Sequence, residues 1–306
     1  MRNFLLTTSS LARVAALTGF AIGGMAFAGA KPALAEFEIQ EPSVEKGEVE
    51  TEYRGAVHFG IKKGEDDNNG AAENGDDDDD GGVIGALDDD EEAPLRQSHD
   101  FEIEYGITER FKLSATLGTD EPITDAYGVS SVEIEAQYEL MERVDGEDGW
   151  ALAFAAGYGF ATRSDEADEI EFGPIIEYAT GPLILTINTY LSGQVGDNVE
   201  ADGLGFQYGW RAEYEVAEHW GVGVEMFGEV EDLSHSGPWN EQEHSIGPTV
   251  FWKPGDDDGD EGELELDDDV VAGPPEMELS FNVGVQFGLT DNTSDSALKF
   301  QGSLEF

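Results

Sequence analysis

Along most of the chain apolar and polar residues take turns. From Val49 to Phe59, Val49, Thr51, Tyr53, Val57 and Phe59 share one face while Glu50, Glu52, Arg54 and His58 share the other, which is the two-residue period of an extended strand. The pattern recurs in Phe101 to Ile107, Phe111 to Leu117, Val132 to Leu140, Trp150 to Phe160, Ile170 to Tyr178, Leu183 to Leu191, Leu204 to Tyr214, Trp220 to Met226, His244 to Trp252, Met277 to Phe287 and Ala297 to Phe306. These twelve stretches predict an all-β chain. Strands that meet lipid on one face and water on the other predict a transmembrane antiparallel up-and-down β-barrel, for which an even strand number is the rule. Pro174 and Pro248 fall inside two of the stretches, where the missing N–H predicts a bulge or an edge.

The connections agree with that architecture. Strand parity sends 61 to 96, 119 to 128, 164 to 169, 194 to 203, 231 to 243 and 289 to 296 outward, and returns 108 to 110, 141 to 149, 180 to 182, 217 to 219 and 254 to 276 to the periplasm. Three of the inward turns are tight, as barrels prefer. Tyr105, Phe111, Tyr138, Trp150, Tyr178, Tyr214, Trp220, Trp252 and Phe306 gather at the inward ends, which predicts an interfacial girdle of amphipathic rings.

Both termini point to the same compartment. Residues 1 to 35 carry Arg2, Arg13 and Lys31, no acidic residue, an apolar run from Val14 to Ala28 and Ala33-Leu34-Ala35 before Glu36. That is a cleaved secretory signal, the apolar run being shorter than the ~20 residues of a spanning helix. Residues 36 to 48 form a short periplasmic leader, too small for a plug domain, and 49 to 306 the barrel. The expected location is the cell outer membrane, with outer-membrane lipid and lipopolysaccharide as surroundings.

Charge narrows the partners. The chain has 68 acidic and 15 basic residues, a formal charge of −53 and no cysteine; removing Arg2, Arg13 and Lys31 with the signal takes −53 to −56. Nucleic acid is excluded on electrostatic grounds, and disulfides and thiolate metal sites by composition. Inserts at about 61 to 96 and 254 to 276 are glycine and acid with little to bury, and are expected to be disordered. Dense carboxylates of this kind point to adaptation to high salt, where repulsion is screened over ~3 Å at molar ionic strength. Asp256, Asp258 and Asp260 alternate as in a calcium loop, but Glu261 stands where such a loop needs glycine and Asp267 where it closes on glutamate.

The alternation also defines a lumen wall. Glu50, Glu52, Glu102, Glu104, Glu133, Glu135, Glu139, Glu171, Glu177, Glu213, Glu215, Glu225 and Glu229 point inward against Arg54, Lys112, Arg211, Lys253 and Lys299, with His58 beside them. Such a wall concentrates cations, so the expected function is a channel or transporter for small solutes with a cation preference. Ala151, Ala153, Ala155, Gly157 and Gly159 leave a bare inner stripe, which either gives a solute path or makes room for long side chains from opposite strands. A barrel of this size is narrow, so a closed structural or surface-binding barrel is the rival reading and a periplasmic all-β protein a third. The chain has His235-Ser236 and His244-Ser245, the residue types that a lipid-hydrolysing barrel enzyme would use. With no orienting third group assignable they do not make an enzyme, and no cofactor or metal site is expected.

The segments EFEIQEP, SSVEIEAQYEL, AGYGFATR, EADEIEFGP, QVGDN and GVGVEMFGE resemble an uncharacterised family of outer-membrane barrels in Gram-negative bacteria. They are more distantly similar to transporter-like barrels of the phenol meta-cleavage pathway. The resemblance covers nearly all of the mature chain except the acidic inserts. It implies a transport role, no established catalytic residues, and a terminal Phe306 read by the barrel-assembly machinery.

Overall fold

The computed structural model describes residues 37–61, 95–123, 126–144, 146–162, 167–199, 203–253 and 277–306. The expected secretory signal and nearly all of both acidic inserts lie outside these residues. Twelve strands follow in chain order: β1 (Val49–Phe59), β2 (Leu95–Thr108), β3 (Phe111–Pro122), β4 (Gly128–Met141), β5 (Gly149–Ala161), β6 (Asp168–Thr180), β7 (Leu183–Val195), β8 (Gly205–Ala217), β9 (Trp220–Val230), β10 (Glu243–Trp252), β11 (Glu278–Gly288) and β12 (Ser296–Glu305). Each pairs antiparallel with its neighbour in sequence, and β12 pairs with β1 to close the barrel. At that seam Val49 and Phe306 exchange both main-chain hydrogen bonds, 2.9 and 3.0 Å. The C-terminal aromatic thus completes a ladder that has no free edge.

The strands outrun the sequence pattern on the outer side. β2 begins at Leu95, within the expected loop, and β3 continues to Pro122. Beyond the apolar stretch the ladder is carried by polar pairs such as Gln97 with Glu121 (2.5 Å), and the Thr119 hydroxyl donates to the His99 carbonyl at 3.0 Å. Hydropathy marks only the ~9–11 residues needed to cross the bilayer, whereas β2 and β4 have 14 each. Both prolines are accommodated within strands. Pairing of β6 with β7 skips from Phe172 to Ile175, and of β10 with β11 from Ile246 to Thr249. The other side of each strand stays paired through Pro174 to Phe154 and Pro248 to Val224.

The outer face is an apolar belt. Phe101, Ile103, Leu117, Ile134, Phe154, Ile187, Val250, Phe281 and Val285 are all exposed, as are Tyr105, Tyr138, Trp150, Tyr214 and Trp220 at the inward rim. Register sets these rim rings side by side: Phe111 faces Tyr138, Trp150 faces Tyr178 with centroids 4.6 Å apart, and Trp220 faces Trp252. A water-soluble domain would cover such residues; a membrane barrel leaves them to lipid. The protein is a closed β-barrel with the apolar belt of a membrane-spanning one.

The inner face is filled by side chains. Ala153 and Ala155 of β5 pack with Ile175 of β6, all fully buried, and Tyr190 of β7 leans against them. The bare stripe makes room for crossing side chains at this level.

Candidate functional site: the lumen and the segment inside it

The leader departs from its expected periplasmic position. Residues 37 to 48 run inside the barrel, from the inward rim at β1 toward the outer half of the lumen. Gly47 donates to the Gly106 carbonyl at 2.8 Å and Gly106 donates to Glu48 at 3.1 Å. A Cβ on Gly106 would stand 2.8 Å from the Glu45 carbonyl carbon, so only glycine lets the two backbones lie together there. Higher up, Phe37 meets Phe227 edge-on at 5.2 Å and stacks with His58 at 6.0 Å. Twelve polar and apolar residues are too few for a plug domain, but they are enough for one extended strap through a lumen whose walls supply its hydrogen bonds.

Those hydrogen bonds come from opposite walls. The Gln40 N–H donates to Asn188 Oδ1 at 2.6 Å, while Asn188 Nδ2 donates to the Gln40 carbonyl at 3.0 Å. Tyr190 donates to Gln40 Oε1 at 2.9 Å and Gln40 Nε2 donates to Glu135 at 3.0 Å. The next carbonyl, that of Glu41, accepts from Gln137 at 3.1 Å. Its carboxylate accepts from Arg211 at 2.8 Å and from Lys253 at 3.3 Å. β4, β7, β8 and β10 therefore converge on two residues, and Ile39, Pro42 and Val44 are buried around them.

The electrostatics differ along the strap. Lys253 first, then Arg211, hold the Glu41 carboxyl well below the usual carboxylate range against the opposing effect of burial, and Glu41 in turn raises Lys253. Burial pushes Glu38 well above its ordinary value; Arg54 at 3.0 Å opposes this, and Glu102 and Glu52 add to it. Glu48 at the rim is pushed up to about 9 by burial and by the Glu305 side chain.

The inward residues form separate groups. Arg54 joins Glu38, Glu52 and Glu102, the last at 2.6 Å. Lys112 pairs with Glu104 at 2.6 Å, Arg211 lies 3.7 Å from Glu213, and Lys299 meets Glu225 at 2.5 Å, where Thr249 also donates at 2.6 Å. Glu177 takes Arg143 from the β4–β5 turn at 3.0 Å. Glu50 bonds Ser303, Glu139 accepts from the Val44 backbone, Glu229 accepts from Gln207 at 3.3 Å and His58 meets Ser294 at 2.9 Å. Glu215 lies exposed at the inward rim. Glu133, Glu135 and Glu171 gather on β4 and β6 with carboxylate oxygens within 4.8 Å of one another. No base pairs with these three among the described residues, and Glu135 Oε2 is buried without a hydrogen-bond partner.

Sequence reasoning missed the neutral members: Gln137, Asn188, Tyr190, Phe227 and Phe251. Their strand parity alone places them inward, but a charge-based reading passes over them. Phe251 carries Arg211 over its ring at 5.3 Å and Phe227 carries Lys299 at 5.2 Å, which gives desolvated cations a second partner.

The histidine and serine neighbours take local roles. His235 Nδ1 meets both Asp232 at 3.0 Å and Ser234 at 3.1 Å. A relay needs the two ring nitrogens to serve different groups, and here one nitrogen serves both, in an exposed turn. His244, expected to face lipid, does point outward but is only 2 % exposed. Trp239 stacks on it at 3.7 Å and Tyr208 bonds it at 3.0 Å.

No family profile matches the chain, and no curated protein matches it. Among solved structures the chain is similar to the Acinetobacter baumannii outer membrane protein Omp33, with a TM-score of 0.36, 7% identity and coverage of 85% of this chain and 98% of that one. It is similar also to Pseudomonas aeruginosa OprD, with a TM-score of 0.34, 11% identity and coverage of 71% of this chain and 61% of that one. Acinetobacter baumannii OccAB2 gives 0.36, 8%, 70% and 56% in the same order. The chain spans about three fifths of the length of the latter two. Likeness this slight leaves the reading of the lumen to its own residues.

Proposed function

We propose that the barrel passes small solutes across the outer membrane through an acidic lumen that prefers cations. The observation that carries this reading is an imbalance across the wall. Arg54, Lys112, Arg211, Lys253 and Lys299 are each ion-paired, so they neutralise the sides on which they stand. Glu133, Glu135 and Glu171 have no such base, and they face the part of β5 where Gly157 and Gly159 add no side chain. A wall of that kind keeps a negative potential in a narrow, low-dielectric bore. The resemblance to transporter-like barrels of the phenol meta-cleavage pathway agrees with transport but names no cargo for this chain. Planar-bilayer recording under a salt gradient tests the reading: a reversal potential on the cation side is expected, and anion preference contradicts it.

A closed barrel is the second reading, and the strap favours it, because Gln40 and Glu41 tie β4 to β7, β8 and β10 across the lumen. Releasing the strap separates the two. A channel narrowed by its strap gains conductance when Glu41 is replaced by Gln; a closed barrel does not. The acidic inserts fit a role in high salt, where dense carboxylates hold water. Transfer of the refolded protein to low salt then lowers its thermal stability, and an unchanged Tm removes that role.

A further inference from the structure

We propose that the strap is the tethered occupant of a binding site built for an extended acidic peptide, and that the lumen binds free ligands of that chemistry when the strap is released. The site is more than a charged patch. Asn188 reads both the N–H and the carbonyl of residue 40, at 2.6 and 3.0 Å, as a neighbouring strand would. Gln137 takes the following carbonyl at 3.1 Å, and Tyr190 takes the side-chain amide at 2.9 Å. Arg211 and Lys253 then converge on one carboxylate, at 2.8 and 3.3 Å.

Two neutral side chains, Asn188 and Gln137, read successive main-chain groups and select a peptide-like backbone, Tyr190 reads the side-chain amide, and two cations at the next position select a carboxylate. Asn188, Gln137 and Arg211 are nearly fully buried and project from three different strands. Lys253 is 45 % exposed and stands just after β10, at the inward rim. It therefore leaves the carboxylate position open to the periplasmic mouth. Nothing in this recognition depends on the covalent link to β1, because the strap is joined to the barrel through residues 47 and 48 and its contacts with the site begin six residues away. The site rests on the channel reading: Arg211 and Lys253 make one basic position in an otherwise acidic bore, where an acidic ligand is held rather than passed.

The experiment uses the full mature chain carrying Gln40→Ala and Glu41→Gln, which weakens the strap's hold without touching the wall. A fluorescent peptide of residues 37 to 43, FEIQEPS, is titrated in detergent and followed by anisotropy, and bilayer current is recorded with and without it. Tight binding to this variant is expected, with binding to the natural chain at least about tenfold weaker because the tethered copy competes at high effective concentration. Placing Gln at position 41 of the peptide is expected to weaken binding by about tenfold through loss of charge-assisted bonds, and Lys253→Gln in the variant by at most about fivefold, because that pair is half-exposed. Lys253 lies outside the strands, so this second change leaves the barrel's ladder intact. Peptide that binds the variant no better than the natural chain, or equally well with Gln in place of its second glutamate, overturns the site. Binding without any current supports the site while removing the channel reading, and current without binding does the reverse.

Discussion

The two ends of the strap carry the same residue in opposite circumstances. At Glu41 one carboxylate is shared by two cations, Arg211 and Lys253; at Glu38 three carboxylates, with Glu52 and Glu102, share the single cation Arg54. The first is held ionised and the second is driven toward its neutral form. In a chain of formal charge −53 the state of a given glutamate follows from the local ratio of bases to acids and from burial, and the net charge says little about it. The inner end is a latch that wants charge, and the outer end a contact that tolerates it only when shared.

Removing Arg54 breaks this comparison hardest. Arg54→Gln leaves three buried carboxylates with no cation, a loss of about 3–5 kcal/mol by the usual cost of stranding a buried charge. Thermal unfolding should show a markedly lower Tm at neutral pH, partly restored in acid as the carboxylates take up protons; a pH-independent loss would mean the cluster is not the cause. Next comes the latch. Glu41→Gln is expected to cost the strap about 1.5–3 kcal/mol, the range for hydrogen bonds to charged groups, and to expose residues 37 to 46 to limited proteolysis while the barrel stays intact. Lys253→Met should cost no more than about 1 kcal/mol, since the Glu41 to Lys253 pair is half-exposed and screened. At the outer end, Glu38→Gln should be close to neutral or slightly stabilising, because it removes one of the competing carboxylates, and the same protease assay would reveal any larger loss.

The pH dependence sharpens the contrast. Glu38 and Glu48 have raised values in the folded protein, Glu48 to about 9. The folded state therefore binds more protons than the unfolded chain above an ordinary carboxylate's value, and the contribution of both groups falls as pH rises from there, for Glu48 until about 9. Glu41 is depressed, so its contribution is present above the ordinary carboxylate range and is lost only as pH falls well below it. Hydrogen exchange across the strap should thus show Phe37 to Ile39 loosening as pH rises above the ordinary carboxylate range while Gln40 and Glu41 stay protected. Uniform loosening along the strap would contradict the two-ended picture.

Most of the barrel was legible in the sequence, because lipid imposes one rule on every second residue: Phe101, Ile103 and Tyr105, or Leu279, Phe281 and Val283, declare a strand and its outward face together. The polar extensions of β2 and β3 were not, since Gln97, His99 and Thr119 lie beyond the hydrocarbon and obey no hydropathy rule. The inward glutamates followed from parity, but their partners did not, because Arg54 finds Glu102 across the β1–β2 ladder whereas Arg211 finds Glu41 only through the path of the strap. That path was illegible for a physical reason. EFEIQEPSVEKGE alternates only over its first five residues, too few for a crossing strand, and it is held by wall groups such as Asn188 and Gln137 whose role depends on what lies opposite them.

The presence of the strap in the lumen can be tested on the unaltered protein. Glu41 and Lys253 are the one acid and base whose 3.3 Å contact joins the leader to β10's inward end, and a zero-length carbodiimide couples only groups in contact. Mass spectrometry of the refolded, carbodiimide-treated mature chain should recover an amide between Glu41 and Lys253 that disappears on unfolding. Lys253 coupled instead to acids of neighbouring turns, with Glu41 unmodified or joined to other molecules, would place the leader outside the barrel and contradict the account.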